Sequence, residues 1–401
     1  MVKKTIKRIG IILIIAIVGI IGFSALLYSP EYMYRVLRYR ESDIRDYLIF
    51  PKNEIIKSAQ PINYSYEIDN RIREMKVTYS MSGKLTESNF ESFLSSTNTM
   101  SFIVIHDDIV VFEGYYNGYS ESSINTSFSA AKSMVSLLVG IAIDEGYIKS
   151  EDQLIEEFIE ELKDTEIGKV TIKDLLSMRS PIKYREGLLW FVDDAKTYYM
   201  PDLRKLAISG TEIDPDYKGK FHYNNYHPLL LGIIIERSTG KSVTDYFQEK
   251  MWNKIGAKYN ASWSIDSKKS KFEKMESGLN FRAIDFAKVG SMLLHKGVWN
   301  ENRIVSEQWI DKSTVAEFPL VEEEYKDSFL KNKETGYKYM WYSTITQKSR
   351  IDYYALGKYG QFLYISPENN TVIVRTGVNS GDVDWWPDIL KELASKVARM
   401  N

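Results

Sequence analysis

The sharpest hydropathy contrast in the chain lies at its start. Lys3, Lys4, Lys7 and Arg8 precede IGIILIIAIVGIIGFSALLY, the uncharged run from Ile9 to Tyr28. As a helix rising about 1.5 Å per residue, that run reaches about 30 Å, the thickness of a bilayer's hydrocarbon core. It exceeds the roughly 7–15 apolar residues of a secretory signal, so the expectation is an uncleaved single-pass anchor over 9–28 rather than a cleaved leader. Basic residues ahead of the span favour a cytoplasmic segment 1–8 and a body outside the cytoplasm. Arg35, Arg38, Arg40 and Arg45 follow the span, but they are mixed with Glu31, Glu41 and Asp43.

Beyond the anchor the pattern changes several times. Residues 29–65 mix charges and aromatics without a sustained period and read as a juxtamembrane stem. SFIVIHDDIVVFEGYYNGY (101–119) is apolar and β-branched on both sides of Asp107-Asp108, which predicts a β-hairpin. NTSFSAAKSMVSLLVGIAIDEGY (125–147) follows as a helix apolar on more than one side, hence buried. In SEDQLIEEFIEELKD, Leu154, Phe158, Ile159 and Leu162 recur at helical spacing with acids between them. YHPLLLGIIIERSTGKS predicts another apolar helix that stops at Gly240. From about 335, YKYMWYST, RIDYYALG, QFLYISPE and NTVIVRTG read as an antiparallel meander, and WWPDILKELASKVARM as an amphipathic helix. The expected architecture is one α+β domain over 66–401. Its antiparallel sheet is assembled from both ends of the chain and flanked by helices, with a mainly helical subdomain at about 150–330.

Composition narrows the chemistry. Hydrophobic residues make up 44% and charged residues 26%, a globular balance, and a net charge of −2 argues against a nucleic-acid partner. The chain has no cysteine, which excludes disulfides, Cys-ligated metal and thiol nucleophiles. No HExxH is present, and His222 and His227 are too far apart to share a helical face as i, i+4 ligands do. His106, His222, His227 and His295 are therefore expected to be structural or surface residues. STGKS lacks the glycine a P-loop needs, Ile235 standing in its place, and no G-x-S-x-G or GxGxxG is found. No metal or organic cofactor is expected.

What remains is Ser129 and Lys132. An i, i+3 pair at a helix start shares one face, and the free N–H groups there favour developing negative charge. A serine hydroxyl needs a neighbouring base, and a lysine desolvated inside the domain can supply it. The same S-x-x-K spacing recurs at Ser180–Lys183, Ser238–Lys241 and Ser328–Lys331, but only Ser129 opens a long buried helix.

The run around Ser129 resembles the serine β-lactamase and penicillin-binding-protein superfamily, most closely its class C-like branch of esterases, D-peptide hydrolases and 6-aminohexanoate-oligomer hydrolases. That family orders S-x-x-K, Y-x-N and K-T-G. Here Tyr223-Asn224-Asn225 precedes an apolar helix, and Lys358-Tyr359-Gly360 opens a probable strand, with the resemblance running from about 100 to about 398. It implies a β-lactamase/transpeptidase-like fold and a serine hydrolase acting on a small or peptide-like amide or ester. In that scheme Ser129 is nucleophile, and Lys132 and Tyr223 carry protons. Asn225 orients Lys132 or substrate, and Lys358 holds Tyr223 or a substrate carboxylate. The backbone N–H groups of Ser129 and Gln361, after Gly360, form an oxyanion hole. Tyr359 replaces the family's threonine, and no counterpart of the class A deacylating glutamate is visible, which weighs against efficient β-lactam hydrolysis. The alternative that the resemblance leaves open is a slow or non-turning-over sensor or wall-binding protein. Trp190, Phe191, Tyr198 and Tyr199 are candidates for a pocket lining or for core packing, and Asp193 and Asp194 are expected at the surface.

Overall fold

The computed structural model describes residues 2–187, 189–315, 325, 328–331, 333–345 and 351–400. Among them, eight strands form one sheet in the order β8-β9-β10-β11-β12-β3-β4-β2. Five come from late in the chain: β8 (Thr335–Lys338), β9 (Trp341–Ile345), β10 (Ile351–Gly357), β11 (Gln361–Ser366) and β12 (Thr371–Gly377). They pair antiparallel in succession. β3 (Thr99–His106) then pairs with β12, and β4 (Ile109–Tyr115) with β3; β2 (Ser65–Tyr66) closes the edge in parallel with β4. The sheet is thus assembled from both ends of the chain, as the pattern predicts. Asp107 and Asp108 make the β3–β4 turn with φ of 50° and 60°, the left-handed pair that a two-residue hairpin needs and that Asp tolerates.

β3 is buried along its whole length because both sheet faces are covered. On one face lies α6 (Ala283–Leu294), drawn close at Gly290, where a Cβ would stand 2.4 Å from Val372 Cγ1. The other face carries α7 (Trp386–Val397). α3 (Ala131–Asp144) packs against α5 (Tyr226–Thr239); both are apolar all round and buried accordingly. α5 ends where expected, at Gly240 with φ 69°. A second sheet, β1-β6-β7-β5, joins β1 (Lys52–Ile55), β6 (Ala261–Ser264), β7 (Leu279–Phe281) and β5 (Asn125–Thr126), the last leading straight into Ser129.

Three expectations need correction. Residues 151–163 are not a continuous helix: they form 3₁₀ turns at Ile155–Glu157 and Glu160–Leu162. Two N–H groups in this segment turn to a neighbouring one, Ile155 donating to Val170 O at 2.9 Å and Glu156 to Gly168 O at 3.1 Å, and most of those that follow close i−3 turns. The region 150–330 also carries β6 and β7, so it is less purely helical than its periodicity suggests. The stem carries regular elements, namely α2 (Pro30–Tyr39), a 3₁₀ turn at Asp46–Leu48 and β1, and α2 docks on the short helix α4 (Asp193–Tyr199).

α1 (Val2–Tyr28) contains the uncharged run in one helix, and Ile9, Ile12, Ile15, Phe23, Leu26 and Leu27 are exposed on it. Some α1 side chains lie outside the described set. Among the described residues no helix is long and apolar enough to cross a membrane, so the expected anchor has no support from that criterion.

Candidate active site

Ser129 lies in a 3₁₀ turn, Phe128–Ala130, that runs directly into α3, and Lys132 is the second residue of that helix. Phe128, just before the serine, has φ 46°, a left-handed conformation that costs a non-glycine residue free energy and turns the chain sharply at the serine. Lys132 Nζ donates to Ser129 Oγ at 2.9 Å and to the carbonyl of Glu276 at 3.0 Å, and it stands 4.9 Å from the centre of the Tyr223 ring. Lys132 is 1% exposed, and no carboxylate among the described residues pairs with it. Its only polar neighbours are therefore a hydroxyl, a carbonyl and a ring face.

The other S-x-x-K serines are engaged elsewhere. Ser180 Oγ lies 2.7 Å from His227 Nε2 in the core, and Ser238 and Ser328 donate to the local carbonyls of Ile235 and Tyr325.

A cavity of about 390 Å³ opens over Ser129. Tyr223, Tyr342, Phe329, Trp385 and Trp386 form its aromatic side, and Gly357, Lys358, Tyr359 and Gly360 its backbone side. Three of the ordered motifs therefore meet at one cavity: Ser129 with Lys132 behind it, Tyr223, and the Lys358–Gly360 turn. Tyr342 is fully buried, and burial pushes its hydroxyl well above the ordinary tyrosine range, with the neighbouring Tyr223 adding to the effect. The close meeting of the two halves depends on Gly357, where a Cβ would stand 2.0 Å from the Ser127 carbonyl oxygen.

Lys358 takes a position other than one that would hold Tyr223. The Asn225 amide donates to Tyr184 OH at 2.7 Å, and its Oδ1 is buried without a hydrogen-bond partner among the described residues. Tyr184 in turn donates to Asp194 at 2.6 Å, so Asn225 braces the loop carrying Tyr223. Lys358 points to the stem, donating to Ser42 Oγ at 3.0 Å, and not to Tyr223. The Gln361 side chain is buried and its Nε2 bridges the carbonyls of Lys358 and Gly377 at 3.2 and 2.7 Å, which fixes the start of β11, while Gly357 to Gly360 line the cavity.

Asp193 is buried and Asp194 half-buried, correcting the surface expectation: Asp193 accepts from Tyr226 OH at 2.9 Å and pairs with Lys196 at 3.2 Å. Tyr198 and Tyr199 pack against the stem residue Phe50, so they and Trp190 serve the stem contact rather than the cavity.

Arg375 is a residue that sequence reasoning missed. Its guanidinium is fully buried and donates only to carbonyls: Tyr359 and Gly360 at 3.2 and 2.6 Å through Nη1, Thr97 and Asn379 at 2.9 and 3.0 Å through Nη2. It lies 4.0 Å over the Trp386 ring, and burial pulls it down to about 9. Gly360 gives it room, since a Cβ there would meet Nη1 at 2.3 Å, and the φ of 75° also suits glycine. Nothing local in the sequence marks Arg375, because its partners lie on three separated segments.

An α+β fold with helices on both sheet faces, a serine in contact with a buried lysine, and a tyrosine at one cavity defines a hydrolase of the β-lactamase type. The beta-lactamase family profile matches residues 87–377, and the chain belongs to that family. It is 26% identical over 315 residues to 6-aminohexanoate-dimer hydrolase of Paenarthrobacter ureafaciens, covering 75% of this chain and 76% of that one. A Bacillus anthracis structure with a provisional 6-aminohexanoate-dimer hydrolase assignment superposes with a TM-score of 0.72 at 22% identity, covering 93% of this chain and 94% of that one. A class C beta-lactamase superposes with a TM-score of 0.57 at 13% identity, over 77% of this chain and 94% of that one.

Proposed function

We propose that the protein is a membrane-anchored serine hydrolase that cleaves amide or ester bonds through an acyl-enzyme on Ser129. The observation that carries this reading is the 2.9 Å contact between Lys132 Nζ and Ser129 Oγ at the floor of the cavity that Tyr223 also lines. Ser129 Oγ attacks the acyl carbonyl and passes its proton to the neutral amine of Lys132. The carbonyl oxygen becomes an oxyanion held by the backbone N–H groups of Ser129 and Gln361. Tyr223 protonates the leaving group as the tetrahedral intermediate collapses and regains a proton from Lys132; water then attacks the acyl carbon, giving a proton to Lys132, and that proton returns to Ser129 Oγ as the acid leaves. One oxyanion donor contributes about 100-fold or more in turnover, and an acid–base partner about 100- to 10,000-fold.

The linear amide of the 26%-identical relative supports a substrate with a linear acyl group, and the aromatic cavity wall suits an apolar chain. Intact mass after exposure to a fluorophosphonate tests the nucleophile. The parent should gain one adduct and Ser129→Ala none; an adduct on both proteins, or on neither, rejects the assignment.

Two features support the anchor: the uncharged run 9–28 within the single helix α1, and the exposure of its apolar side chains behind a basic N-terminal segment. The body is then extracytoplasmic. After expression in bacteria, the protein should resist carbonate extraction and be degraded by protease added to spheroplasts; release by carbonate would remove the anchor from the proposal.

A further inference from the structure

The stem does more than connect the N-terminal helices to the catalytic body. After α2 the chain turns at Arg40, with φ 60°, and reaches the turn that follows β10. Ser42 meets the third motif twice: Tyr359 OH donates to its carbonyl at 2.5 Å, and Lys358 Nζ to its hydroxyl at 3.0 Å. Next, Ile44 O accepts from Thr126 Oγ1 at 3.3 Å, three residues before the nucleophile. Asp46 accepts from Tyr198 OH at 2.6 Å. Phe50 stacks on Tyr199 and presents its ring 4.5 Å from Lys274 Nζ. Lys274 pairs at 2.9 Å with Glu276, whose carbonyl accepts from Lys132 Nζ. One short segment therefore touches the third motif, the strand leading to Ser129, and the ion pair behind Lys132.

The charge at the cavity mouth gives this contact a chemical meaning. Lys358 is the cation among the cavity-lining residues, and the acid there, Asp384, is engaged by Ser80 Oγ and by the Gly83 N–H at 2.9 Å. A lysine side chain has several rotatable bonds and holds one position only when a partner fixes it. Ser42 is that partner, with the Tyr359 ring 5.0 Å from the ammonium.

We propose that residues 42–50 form a positioning strap of the active site: through Ser42 the stem fixes at the cavity mouth the Lys358 ammonium, for which the family resemblance implies a substrate carboxylate as partner, so that loosening the stem weakens selection for anionic acyl substrates. The inference rests on the Ser129 hydrolase reading. It makes the membrane-proximal stem a determinant of specificity, and Ser42 and Phe50 positioning residues.

The test uses the full chain in detergent micelles, with p-nitrophenyl acetate as neutral ester and p-nitrophenyl hydrogen succinate as anionic ester. Ser42→Ala removes the hydroxyl acceptor, and Phe50→Ala loosens the strap at a distance from the cavity. In both variants, shown to be folded by their thermal transitions, the ratio of kcat/KM for the anionic over the neutral ester should fall about tenfold. The rate at which acetic anhydride acylates Lys358, read by peptide mass, should rise at least fivefold. A ratio and an acylation rate both within twofold of the parent would overturn the strap. If the parent turns over neither ester, the hydrolase reading fails, and the strap is judged on the Lys358 acylation rates alone.

Discussion

Gly357→Ala tests whether the catalytic cavity depends on the close approach of two backbones. An alanine Cβ at 357 would stand 2.0 Å from the Ser127 carbonyl oxygen, where real Cβ contacts essentially never fall below 3.0 Å. The obstacle is main chain, so no side chain can rotate away, and the end of β10 and the Ser127–Ser129 turn must part by about 1 Å. A displacement of that size between reacting groups typically costs about 100-fold in rate. The matched control is Gly290→Ala on α6, whose Cβ would meet Val372 Cγ1 at 2.4 Å and Leu363 Cδ1 at 3.0 Å, on the sheet face away from α7. Both variants overpack and should lose about 1–3 kcal/mol of stability. Steady-state hydrolysis of p-nitrophenyl acetate and circular-dichroism melting separate the effects. Gly357→Ala should lose about 100-fold in kcat, whereas Gly290→Ala should melt lower with kcat within threefold of the parent. Equal activity losses in the two variants, or a fully active Gly357→Ala, would refute the reasoning.

Tyr223→Phe removes the hydroxyl assigned to the leaving group; the rate for an amide should fall by about 100-fold or more, and by less for an ester with a good leaving group, and equal losses on both would reject that role. Asp352 is fully buried, and burial pushes its carboxyl up to about 6 despite hydrogen bonds from Tyr364 and Ser366. The folded state then holds this proton more tightly than the unfolded one, so its contribution is full below about 3.8 and lost as pH rises through 6, a change of roughly 3 kcal/mol. The melting temperature of Asp352→Asn relative to the parent should therefore climb between pH 5 and pH 8, and a pH-independent difference would contradict this. His227 is pulled down to about 3 by burial, so the unfolded chain takes up its proton first and stability is lost as pH falls below about 6.5. His227→Gln should flatten the melting profile between pH 6.5 and pH 4.

Much of this organisation is legible in the sequence, because the relevant patterns are local. The Asp107-Asp108 hairpin, the Gly240 stop and the late meander each follow from a few adjacent residues. The four S-x-x-K copies are separable by context alone, and hydrogen bonding accounts for the three outside the cavity. What escapes is long-range. The 151–163 segment has helical periodicity, yet the N–H groups of Ile155 and Glu156 find partners at 170 and 168, a competition that periodicity does not encode. Lys358 turns to Ser42, 316 positions earlier in the chain. The side chain of Gln361 pairs with the carbonyls of Lys358 and Gly377, the second of them 16 positions later in the chain.

Arg375 secures that turn solely through main-chain carbonyls. Every residue has a carbonyl, so the bonds it makes are indifferent to which side chains stand at 97, 359 or 379. The location of the turn and the chemistry displayed on it are thus specified separately. One buried guanidinium and two glycines set where the backbone lies, while the side chain at 358 can be exchanged to suit another acyl group without breaking any of those bonds. The fold can therefore retune its substrate at the cavity mouth while leaving its nucleophile undisturbed.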